Sequence, residues 1–536
     1  MAGGLIHEGL EAAADRYGDR VALRDGDQTW TFADLDGMSN AFARHLTAEG
    51  VTAGERVALM SSNRVELVVA VQALSKLGAA AVLLSPAWKA REVDHALGLT
   101  QARHGIADGD GVNLLAGRLG GDRITDLDDP AMMRRALARL RTTLPLPNAG
   151  PDDDAIFVFS SGTTGLPKAV RHTHRSLGAA TRHWVSALGL GPDDRFQVAT
   201  PPSHILGLLN LLAAVEAGAS VRLHRRFDLD EVLRRIASDR ITLEMAVAPI
   251  ALALANHPHL EDYDLSSLRY IMWGATPVTE SVARTVTQRT GVRWLPAYGA
   301  SELPVIAANP VAEPDRWRLD SAGLPAPDVE LRVVSLTTGE AAGHGAGGDV
   351  HVLPRGETGG IGEIQARSPS LMAGYLPEEA NAEAFVDDGW YRTGDVGWLE
   401  PEGWVHLTDR SKEMIKVKGF QVAPAEIEAV LHGHPAVLDC AVFGVADEQA
   451  GEVPAAAVQL DLEPRMTRGE VDGLVVELEH LVADTLATYK HLSHLVVVDA
   501  IPRLPSGKVL RRTLRDEWAP LLADNKVSHT TAGSDS

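Results

Sequence analysis

The chain has 536 residues, of which 45% are apolar and 23% charged, a composition typical of a globular protein too large for one simple core. Its formal net charge of -22 argues against a nucleic-acid-binding protein, which needs a basic surface, but leaves room for a local basic site that binds an anion. Cys440 is the single cysteine, so an intramolecular disulfide and a Cys-rich metal site are excluded, and its apolar neighbours predict an inert buried thiol.

The start of the chain and its apolar runs indicate where in the cell the protein is expected. Residues 1–10 lack the basic start and the apolar core of a signal peptide. No run approaches the roughly 18 apolar residues that a membrane span needs. We therefore predict a cytoplasmic protein that binds neither a membrane nor nucleic acid.

Strands and helices are predicted to alternate in the first part of the chain. A helix begins after the candidate N-cap Thr31. A second helix is predicted over residues 66–77, and strands over 21–24, 29–32, 57–60 and 79–84. This order predicts a parallel sheet with helices on both faces, where ligands bind at the carboxyl ends of the strands. Between residues 109 and 150 the pattern weakens, and we expect a variable crossover there.

The stretch over residues 155–170 combines a predicted buried strand with a loop suited to a polyanion. Apolar residues 156–159 predict the strand. A run of only Ser, Thr and Gly follows: Ser160, Ser161, Gly162, Thr163, Thr164 and Gly165. The glycines let backbone N–H groups approach a ligand, the hydroxyls add donors, and Lys168 behind Pro167 adds a positive charge. We interpret the stretch as a phosphate-binding loop.

A flexible linker is the alternative interpretation of this loop, because linkers often have the same composition. The preceding strand and a helix-like segment over residues 171–189 argue against a linker. The loop also departs from a Walker A motif, since two residues separate Gly165 from Lys168. An ordinary P-loop NTPase is therefore disfavoured.

Polar residues stand next to several of the later predicted elements. Strands are predicted over residues 196–199, 243–247, 270–273 and 294–297, and an apolar helix over 205–217. His204 precedes that helix, where it is either a structural residue or a ligand contact. Tyr298, Ser301 and Glu302 offer a ring for stacking a base, a hydroxyl and a carboxylate for Mg²⁺, although a solvated loop would carry the same residues.

Four separated segments resemble the motifs of the acyl-adenylate-forming superfamily, which includes acyl-CoA synthetases, coumarate:CoA ligases, luciferases and adenylation domains. They are S-S-G-T-T-G-L-P-K at 160–168, Y-G-A-S-E at 298–302, Y-R-T-G-D at 391–395 with D-R-S-K-E-M-I-K-V-K-G-F-Q-V at 409–422, and P-S-G-K at 505–508. Their order and spacing match over residues 5–522. The segment G-F-Q-V-A-P-A-E-I-E at 419–428 is most similar to the coumarate:CoA ligase and medium-chain acyl-CoA synthetase branch.

The resemblance implies an α/β fold in two domains. A large N-terminal domain over residues 1–408, made of parallel and mixed sheets with flanking helices, would hold ATP and the acyl group. A small, mobile α+β domain over residues 409–524 would move on a hinge at Asp409. We expect the polar tail over residues 525–536 to be disordered.

The resemblance also implies how the nucleotide is held. The loop over residues 160–168 would hold the β- and γ-phosphates of ATP, Ser301 would contact the phosphates, and Glu302 would bind Mg²⁺. Asp395 would accept hydrogen bonds from the ribose hydroxyls, and Arg410 would bind ribose and phosphate. The residues around the adenine would be Gly274, Ala275, Thr276, Tyr298 and Gly299.

The resemblance assigns the chemistry to four residues, namely Lys508, His204, Glu302 and Lys416. Lys508 would bridge the carboxylate of the acid and the α-phosphate. Rotation of the small domain would then withdraw Lys508 and bring in the face that carries Lys416, for which an exposed basic strand is the alternative interpretation. The tunnel for the pantetheine arm of CoA would be lined by Gly419, Phe420 and Gln421.

The implied activity is the ATP- and Mg²⁺-dependent conversion of a carboxylic acid to an acyl-adenylate and then to an acyl-CoA thioester. Relatives that activate amino acids have an aspartate near the position of His204, so its absence argues against an α-amino acid. Trp273 would shorten or flatten the acyl site in favour of an aromatic or medium-length planar acid, or it is ordinary core packing. The predicted substrate pocket consists of His204, Trp273, Gly299, Ala300 and Leu303.

Three alternatives remain open at this point. In the first two, the acceptor would be a carrier-protein thiol or an amine instead of CoA. In the third, the acid would be an inorganic one such as nitrite, as in diazotisation. A non-catalytic nucleotide- or acyl-binding protein is disfavoured, because it should have lost one of the key residues Lys168, Glu302, Asp395 and Lys508. The oligomeric state is left open between monomer and homodimer.

Overall fold

The computed structural model describes residues 4–131, 149–160, 167–274, 280–335, 341–344, 360–410, 413–417, 420–447, 449–461, 467–503 and 507–523. These residues form an α/β fold with a large N-terminal domain and a smaller C-terminal domain, so the predicted fold class is confirmed. Buried side chains between Leu10 and Val405 form the main core, and those between Ile415 and Leu522 form separate cores. The predicted boundary at residues 408 and 409 falls between these sets and stays a prediction.

A mixed seven-stranded sheet, counted over the described residues, lies at the centre of the large domain. Its strands are, in spatial order, Gly374–Leu376, Lys168–Thr173, Asp154–Ser160, Ala80–Leu84, Arg56–Met60, His104–Ala107 and Ile124–Asp126. The last five run parallel, whereas the first two pair antiparallel. Val57 and Leu59 pack in one core and Ala58 and Met60 in another, because successive side chains of a strand point to opposite faces. Both faces of the sheet are therefore covered, as the strand and helix alternation predicts.

Further sheets complete the described part of the two domains. In the large domain, one sheet contains, in spatial order, Gln28–Thr31, Val21–Asp25, Ser220–Leu223 and Arg195–Val198. A second sheet contains Leu243–Ala246, Tyr270–Trp273, Trp294–Tyr298, Ala307–Ala308 and Leu324–Pro325. A third contains Ala341–His344, Glu330–Ser335, Gly362–Arg367, Trp390–Leu399 and Phe385–Val386, with Val405–Arg410 also paired to Trp390–Leu399. The sheet of the small domain contains Phe420–Val422, Ile415–Val417, Gly451–Leu460 and Val437–Asp447, with His494–Val497 also paired to Gly451–Leu460.

The α-helices pack on these sheets. Those of the large domain are His7–Tyr17, Phe32–Ala48, Val65–Leu77, Ala90–Thr100, Asp110–Leu119, His174–Leu188, Ile205–Ala217, Leu229–Asp239, Ala248–Ala255, Glu280–Thr290 and Asn381–Ala384. Those of the small domain are Pro424–Leu431, Arg468–Thr485 and Arg511–Ala523. No described helix is both long enough and apolar enough to span a bilayer.

Two local features agree with the sequence analysis. Thr31 caps the helix Phe32–Ala48 by accepting from the backbone N of Asp34 at 3.1 Å, and the Asp34 carboxylate accepts from the Thr31 backbone N at 2.9 Å. This reciprocal pair is a capping box, which satisfies two donors that the helix itself leaves unpaired. Cys440 is buried and free, and burial raises the pKa of its thiol well above the ordinary value, in keeping with an inert thiol.

One sequence prediction is wrong in detail, and another is less specific than the structure. The helix predicted over residues 171–189 begins at His174, because Lys168–Thr173 is a strand paired with Asp154–Ser160 and Thr173 caps the helix that follows. The predicted crossover contains the helix Asp110–Leu119 and the strand Ile124–Asp126, while residues 132–148 lie outside the described part. Short polar and glycine-containing elements give weak periodic patterns, and neighbouring strands in the sheet stabilise them here.

Candidate active site

One cavity of about 710 Å³ collects most of the described residues that the motifs identify. Its lining includes Lys168, His204, Glu302 and Lys508, which are as much as 340 positions apart in the chain (508 − 168). Ser160, Gly274, Tyr298, Gly299, Ala300 and Ser301 also line it. The cavity forms where strands of the large domain end, and the small domain contributes Glu413 and Lys508.

Lys168 and its neighbours form the part of the cavity expected to bind phosphate. Ser160 ends one strand and pairs in register with Lys168 at the start of the next strand, so the intervening loop leaves and re-enters the sheet at adjacent positions. His95 donates from Nε2 to the carbonyl oxygen of Pro167 at 2.8 Å and thereby fixes the loop where it returns. The predicted phosphate contacts Ser161, Gly162, Thr163, Thr164 and Gly165 lie outside the described residues.

Tyr375 contacts two of these groups and was missed by the sequence analysis. Its hydroxyl donates to Oε1 of Glu302 at 2.7 Å, and its ring centroid lies 5.0 Å from Nζ of Lys168. Tyr375 lies on the strand Gly374–Leu376, which pairs with the strand of Lys168. The dipeptide G-Y at the end of A-R-S-P-S-L-M-A-G-Y was the available signal, but nothing local to it indicates Glu302 as its partner.

The loop that carries Glu302 is held by backbone contacts. The backbone N of Ala300 donates to the carbonyl of Leu303 at 3.0 Å, and His172 donates from Nε2 to the carbonyl of Ser301 at 2.8 Å. Burial lowers the pKa of His172, so its ring is a neutral donor. A Cβ atom on Gly299 would lie 2.0 Å from the carbonyl oxygen of Pro304, so only glycine fits this loop.

Tyr298 and Asp395 form a direct pair at the predicted ribose position. The Tyr298 hydroxyl donates to Oδ2 of Asp395 at 2.5 Å, and the backbone N of Asp395 donates to Oγ1 of Thr393 at 3.0 Å. Asp395 is only 8% exposed. Arg410 pairs with it in register on the neighbouring strand, but the side chain of Arg410 lies outside the described residues, as do Ala275 and Thr276.

Apolar side chains from two helices form another part of the cavity wall. The helices His174–Leu188 and Ile205–Ala217 contribute Trp184, Ile205, Leu206 and Leu209. Trp184 donates from Nε1 to Oδ1 of Asn210 at 2.7 Å, and both side chains are buried, so the indole is held in one orientation.

His204 adjoins this wall as the N-cap of the helix Ile205–Ala217. Burial lowers the pKa of His204, so the ring is uncharged near neutral pH. Its Nδ1 atom is buried and has no hydrogen-bond partner among the described residues.

Two residues of the predicted substrate pocket lie elsewhere. Trp273 is 1% exposed and Leu303 is 0% exposed, and neither lines the cavity. Trp273 packs against Trp294 on the neighbouring strand with ring centroids 5.2 Å apart. The alternative interpretation of Trp273 as core packing is the one that agrees with the structure, and any influence of Trp273 on the acyl site is indirect.

The structure separates Lys508 from the other predicted residues of the small domain. Lys508 lines the cavity, whereas Lys416 is exposed and Phe420 is 55% exposed, with its ring 4.5 Å from that of Tyr489. Gly419 and the side chain of Gln421 lie outside the described residues. Asp409, the predicted hinge, accepts from the backbone N of Ala425 at 3.0 Å through Oδ2.

Two family models match the chain, one in the large domain and one in the small domain. The model described as AMP-binding enzyme matches residues 10–376, and the model described as AMP-binding enzyme C-terminal domain matches residues 426–508. The chain belongs to the AMP-binding enzyme family. It is thus a member of the acyl-adenylate-forming superfamily in its acyl-CoA synthetase branch, as the four motifs predict.

Relatives of this AMP-binding enzyme include several CoA ligases. 4-Coumarate–CoA ligase 5 of Oryza sativa subsp. japonica is 34% identical, with 95% of this chain and 94% of that protein covered. The solved anthranilate CoA ligase AuaEII, in complex with anthranoyl-AMP, has a TM-score of 0.87 at 25% identity and covers 98% and 99% of the two chains. The amide bond synthetase McbA from Marinactinospora thermotolerans has a TM-score of 0.82 at 28% identity, with 95% and 99% covered.

Glu302 is the residue of this AMP-binding enzyme whose surroundings suit Mg²⁺. No group of three or more His, Cys, Asp or Glu side chains that would enclose a metal occurs in the described part of the chain. Glu302 lines the cavity with one carboxylate oxygen bonded to Tyr375. Mg²⁺ at nucleotide sites is held by one or two carboxylates together with phosphate oxygens, so a single carboxylate in the same cavity as Lys168 fits that ion.

Proposed function

We propose that this AMP-binding enzyme joins a carboxylic acid to the α-phosphate of ATP, releases pyrophosphate, and then transfers the acyl group to the thiol of CoA. The observation that carries the proposal is the convergence of Lys168, Glu302 and Lys508 on one cavity. These are two cations and one carboxylate proposed to bind Mg²⁺, which are the groups that a reaction between two anions needs.

The negative charges of the acid and of ATP determine what the first step requires of the protein. A carboxylate oxygen of the acid attacks the α-phosphorus, an O–P bond forms, and the bond between the α- and β-phosphates breaks as pyrophosphate leaves. No proton moves, so the protein contributes positioning and positive charge rather than acid–base chemistry. In this proposal Lys508 lies against the attacking carboxylate and the α-phosphate, and Lys168 lies against the leaving pyrophosphate.

The remaining nucleotide contacts involve two hydrogen-bonded pairs described above, Tyr298 with Asp395 and Tyr375 with Glu302. Asp395, held by the Tyr298 hydroxyl, accepts hydrogen bonds from the ribose, and Gly274 and Tyr298 adjoin the adenine. Glu302, oriented by Tyr375, would hold Mg²⁺. When bound, Mg²⁺ supplies positive charge to the phosphate oxygens and orients them for the displacement.

The second step requires another arrangement of the small domain. The thiol of CoA loses its proton to solvent and attacks the acyl carbon, a C–S bond forms, the acyl C–O bond breaks, and AMP leaves with the oxygen that had bridged carbon and phosphorus. Lys416 and Phe420 lie on the exterior in the described arrangement, so we infer that residues 409–524 turn about Asp409 to bring this face to the cavity. The structure with Lys508 in the cavity is then the arrangement for the first step.

The acyl end of the cavity favours an uncharged acyl group. The two helices that wall it contribute Trp184, Ile205, Leu206 and Leu209, and none of these side chains is charged. His204 is neutral, because burial lowers its pKa. A second carboxylate or an ammonium placed against these four side chains would lose its hydration without gaining a partner of opposite charge among them. We therefore propose a monocarboxylic acid with an aromatic or other apolar body as substrate.

The names of the relatives support this substrate class. 4-Coumarate and anthranilate, named in two of the related CoA ligases, are aromatic acids. An amine acceptor is the second candidate for the transfer step, because the amide bond synthetase McbA shares the fold over 95% of this chain.

A screen for pyrophosphate release tests the proposal. The full-length enzyme is given ATP and Mg²⁺ with aromatic, fatty, dicarboxylic and α-amino acids or nitrite, each with and without CoA. We expect release with aromatic or apolar monocarboxylic acids and a thioester by mass spectrometry when CoA is present. The absence of release with every acid would overturn the adenylation proposal. Pyrophosphate release without a thioester, together with amide formation when amines are added, would identify an amine rather than CoA as the acceptor.

A further inference from the structure

Arg503 connects the cavity residue Lys508 to the sheet of the small domain. Its Nη1 atom donates to the carbonyl oxygen of Gly507, the residue just before Lys508, at 2.8 Å. Its Nε and Nη2 atoms donate to Oδ2 and Oδ1 of Asp439 at 2.9 and 2.7 Å. One guanidinium group therefore holds a carboxylate on one side and the backbone beside Lys508 on the other.

Asp439, the carboxylate partner of Arg503, is itself held in place by its surroundings. Asp439 lies within the strand Val437–Asp447 and also contacts Nε2 of His432 at 3.3 Å. The side chains of Arg503 and Asp439 are 14% and 12% exposed. A two-point contact between a guanidinium and a carboxylate fixes orientation as well as distance. Residue 503 also forms an antiparallel bridge with Val509, which brings the two ends of the Lys508 loop together.

The loop needs such support because of its backbone. Gly507 has a φ of +85°, in the left-handed region. A Cβ atom on Gly507 would lie 2.8 Å from Cδ of Pro249 in the large domain, so the turn passes close to the opposite domain. A loop that enters another domain at close range must keep its shape for the lysine to reach one atom position.

Arg511 provides the matching support after Lys508. Its Nη2 atom donates to both carboxylate oxygens of Glu428 at 2.7 and 2.9 Å, and its Nη1 atom donates to Oε2 of Glu413 at 2.5 Å. Burial on this side is also deep, since the Arg511 side chain is 12% exposed. Arg511 opens the helix Arg511–Ala523, so its contacts also fix where that helix begins.

We infer that Arg503, held by Asp439, is a positioning residue for Lys508 and sets the rate of the adenylation step without touching the substrate, an inference that rests on the proposed function. Arg503 does not line the cavity, whereas Lys508 does. Among the described residues of the loop that carries Lys508, the contact of the Arg503 side chain is the one to the Gly507 carbonyl. It therefore affects the step in which Lys508 takes part and leaves the thioester-forming step unaffected.

The test compares Arg503→Gln and Arg503→Lys with Arg512→Gln, a change at an exposed arginine four residues after Lys508. Adenylation is followed by pyrophosphate exchange, and the second step by thioester formation from a supplied acyl-adenylate. We expect Arg503→Gln to lower the kcat of adenylation about 10- to 100-fold, with the KM for ATP nearly unchanged. Arg503→Lys should recover part of the rate, and thioester formation should stay within about twofold of the unmodified enzyme.

A double-mutant cycle separates positioning from a general effect on folding. In the Lys508→Ala background, Arg503→Gln should cause no further loss of pyrophosphate exchange, because the group that Arg503 positions is gone. Asp439→Asn, which keeps the shape of the side chain, should show the same pattern with a smaller loss and replaces Arg503→Gln if that variant does not fold.

Other outcomes would contradict the inference. Equal losses in both half-reactions, or the full loss again in the Lys508→Ala background, would make Arg503 an ordinary structural residue. Full adenylation activity of Arg503→Gln would remove the positioning role and leave the proposed function intact. An unmodified enzyme without pyrophosphate exchange for any acid would remove the proposed function, and this inference with it.

Discussion

The hydroxyl of Tyr375 donates to Oε1 of Glu302 at 2.7 Å, and the same tyrosine ring lies 5.0 Å from the ammonium of Lys168. One side chain from the edge strand thus contacts both the carboxylate expected to hold Mg²⁺ and the lysine expected to hold phosphate. The orientation of the two groups relative to each other is therefore linked through Tyr375.

Tyr375→Phe tests this link, because it keeps the ring beside Lys168 and removes only the hydroxyl. We expect the concentration of Mg²⁺ needed for half-maximal adenylation to rise about 10-fold, since partners that orient a metal ligand typically affect affinity by this order. Tyr263→Phe is the matched control, because its hydroxyl donates to Asp230 on the surface. An unchanged Mg²⁺ requirement in Tyr375→Phe would mean that Glu302 does not need this hydrogen bond.

Lys508→Ala tests the division of labour between the two half-reactions. Removing a cation that stabilises developing negative charge should lower adenylation by about 10²- to 10³-fold. Conversion of a supplied acyl-adenylate to thioester should continue at near the normal rate, because the proposed rotation of the small domain takes Lys508 out of the cavity before that step. Arg512→Ala, which removes an exposed positive charge on the adjoining helix, is the control. Equal loss of both half-reactions in Lys508→Ala would argue against a rotating small domain.

Trp184→Phe tests the acyl wall. Phenylalanine keeps an aromatic ring but frees space and removes the donor that Asn210 accepts at 2.7 Å. We expect the ratio of kcat/KM values to shift by about 10-fold toward acids with a larger ring substituent, while the KM for ATP stays the same, since a change of a single methylene in a pocket already has an effect of this order. Trp317→Phe, at a tryptophan that packs on Tyr270 outside the cavity, is the control. A parallel change for all acids would show that Trp184 affects folding rather than selection.

Buried histidines predict a loss of stability in mild acid. Burial lowers the pKa of His174 and of His224 from 6.5 to about 4. Below pH 6.5 the unfolded chain therefore binds protons that the folded chain does not, and stability falls as the pH drops from about 6.5 to about 4. Each histidine contributes a slope of up to about 1.4 kcal/mol per pH unit.

The midpoint of thermal unfolding, measured across this pH range, checks the prediction. His224→Gln keeps a donor toward Gln197, whose Oε1 lies 2.7 Å from Nε2 of His224, and should flatten the fall. His259→Gln changes an exposed histidine and should leave the curve as it was. Glu244 acts in the opposite direction, because burial raises its pKa from 4.5 to about 7, so its contribution falls as the pH rises. A midpoint that stays constant from pH 6.5 to 4 in all three proteins would contradict the account.

The sequence predicted the family, the fold class and most strands because these depend on local patterns. The strand Tyr270–Trp273 and the helix Ile205–Ala217 have the bounds that their apolar runs predict. The motifs also identified Lys168, Glu302 and Lys508, which the fold brings to one cavity. A motif carries its chemistry in the residue types themselves, so no knowledge of spatial neighbours is needed.

The contacts that orient these residues could not be predicted in the same way. Tyr375, His172 and His95 reach Glu302, Ser301 and Pro167 through pairing between strands and helices distant in the chain. Trp273 shows the converse error, because its place next to a motif glycine suggested the pocket, while its side chain is buried, packs on Trp294 and does not line the cavity. The direction of a side chain at the end of a strand depends on the sheet around it.

The most direct test of the central claim follows one oxygen atom. The enzyme is given ATP, Mg²⁺, CoA and an active acid whose carboxylate carries ¹⁸O, and the products are analysed by mass spectrometry. An acyl-adenylate intermediate predicts one ¹⁸O atom in AMP and none in pyrophosphate, because the acid's oxygen stays on the α-phosphorus when the thiol displaces it. Unlabelled AMP, or ADP with labelled inorganic phosphate, would contradict adenylation of the acid.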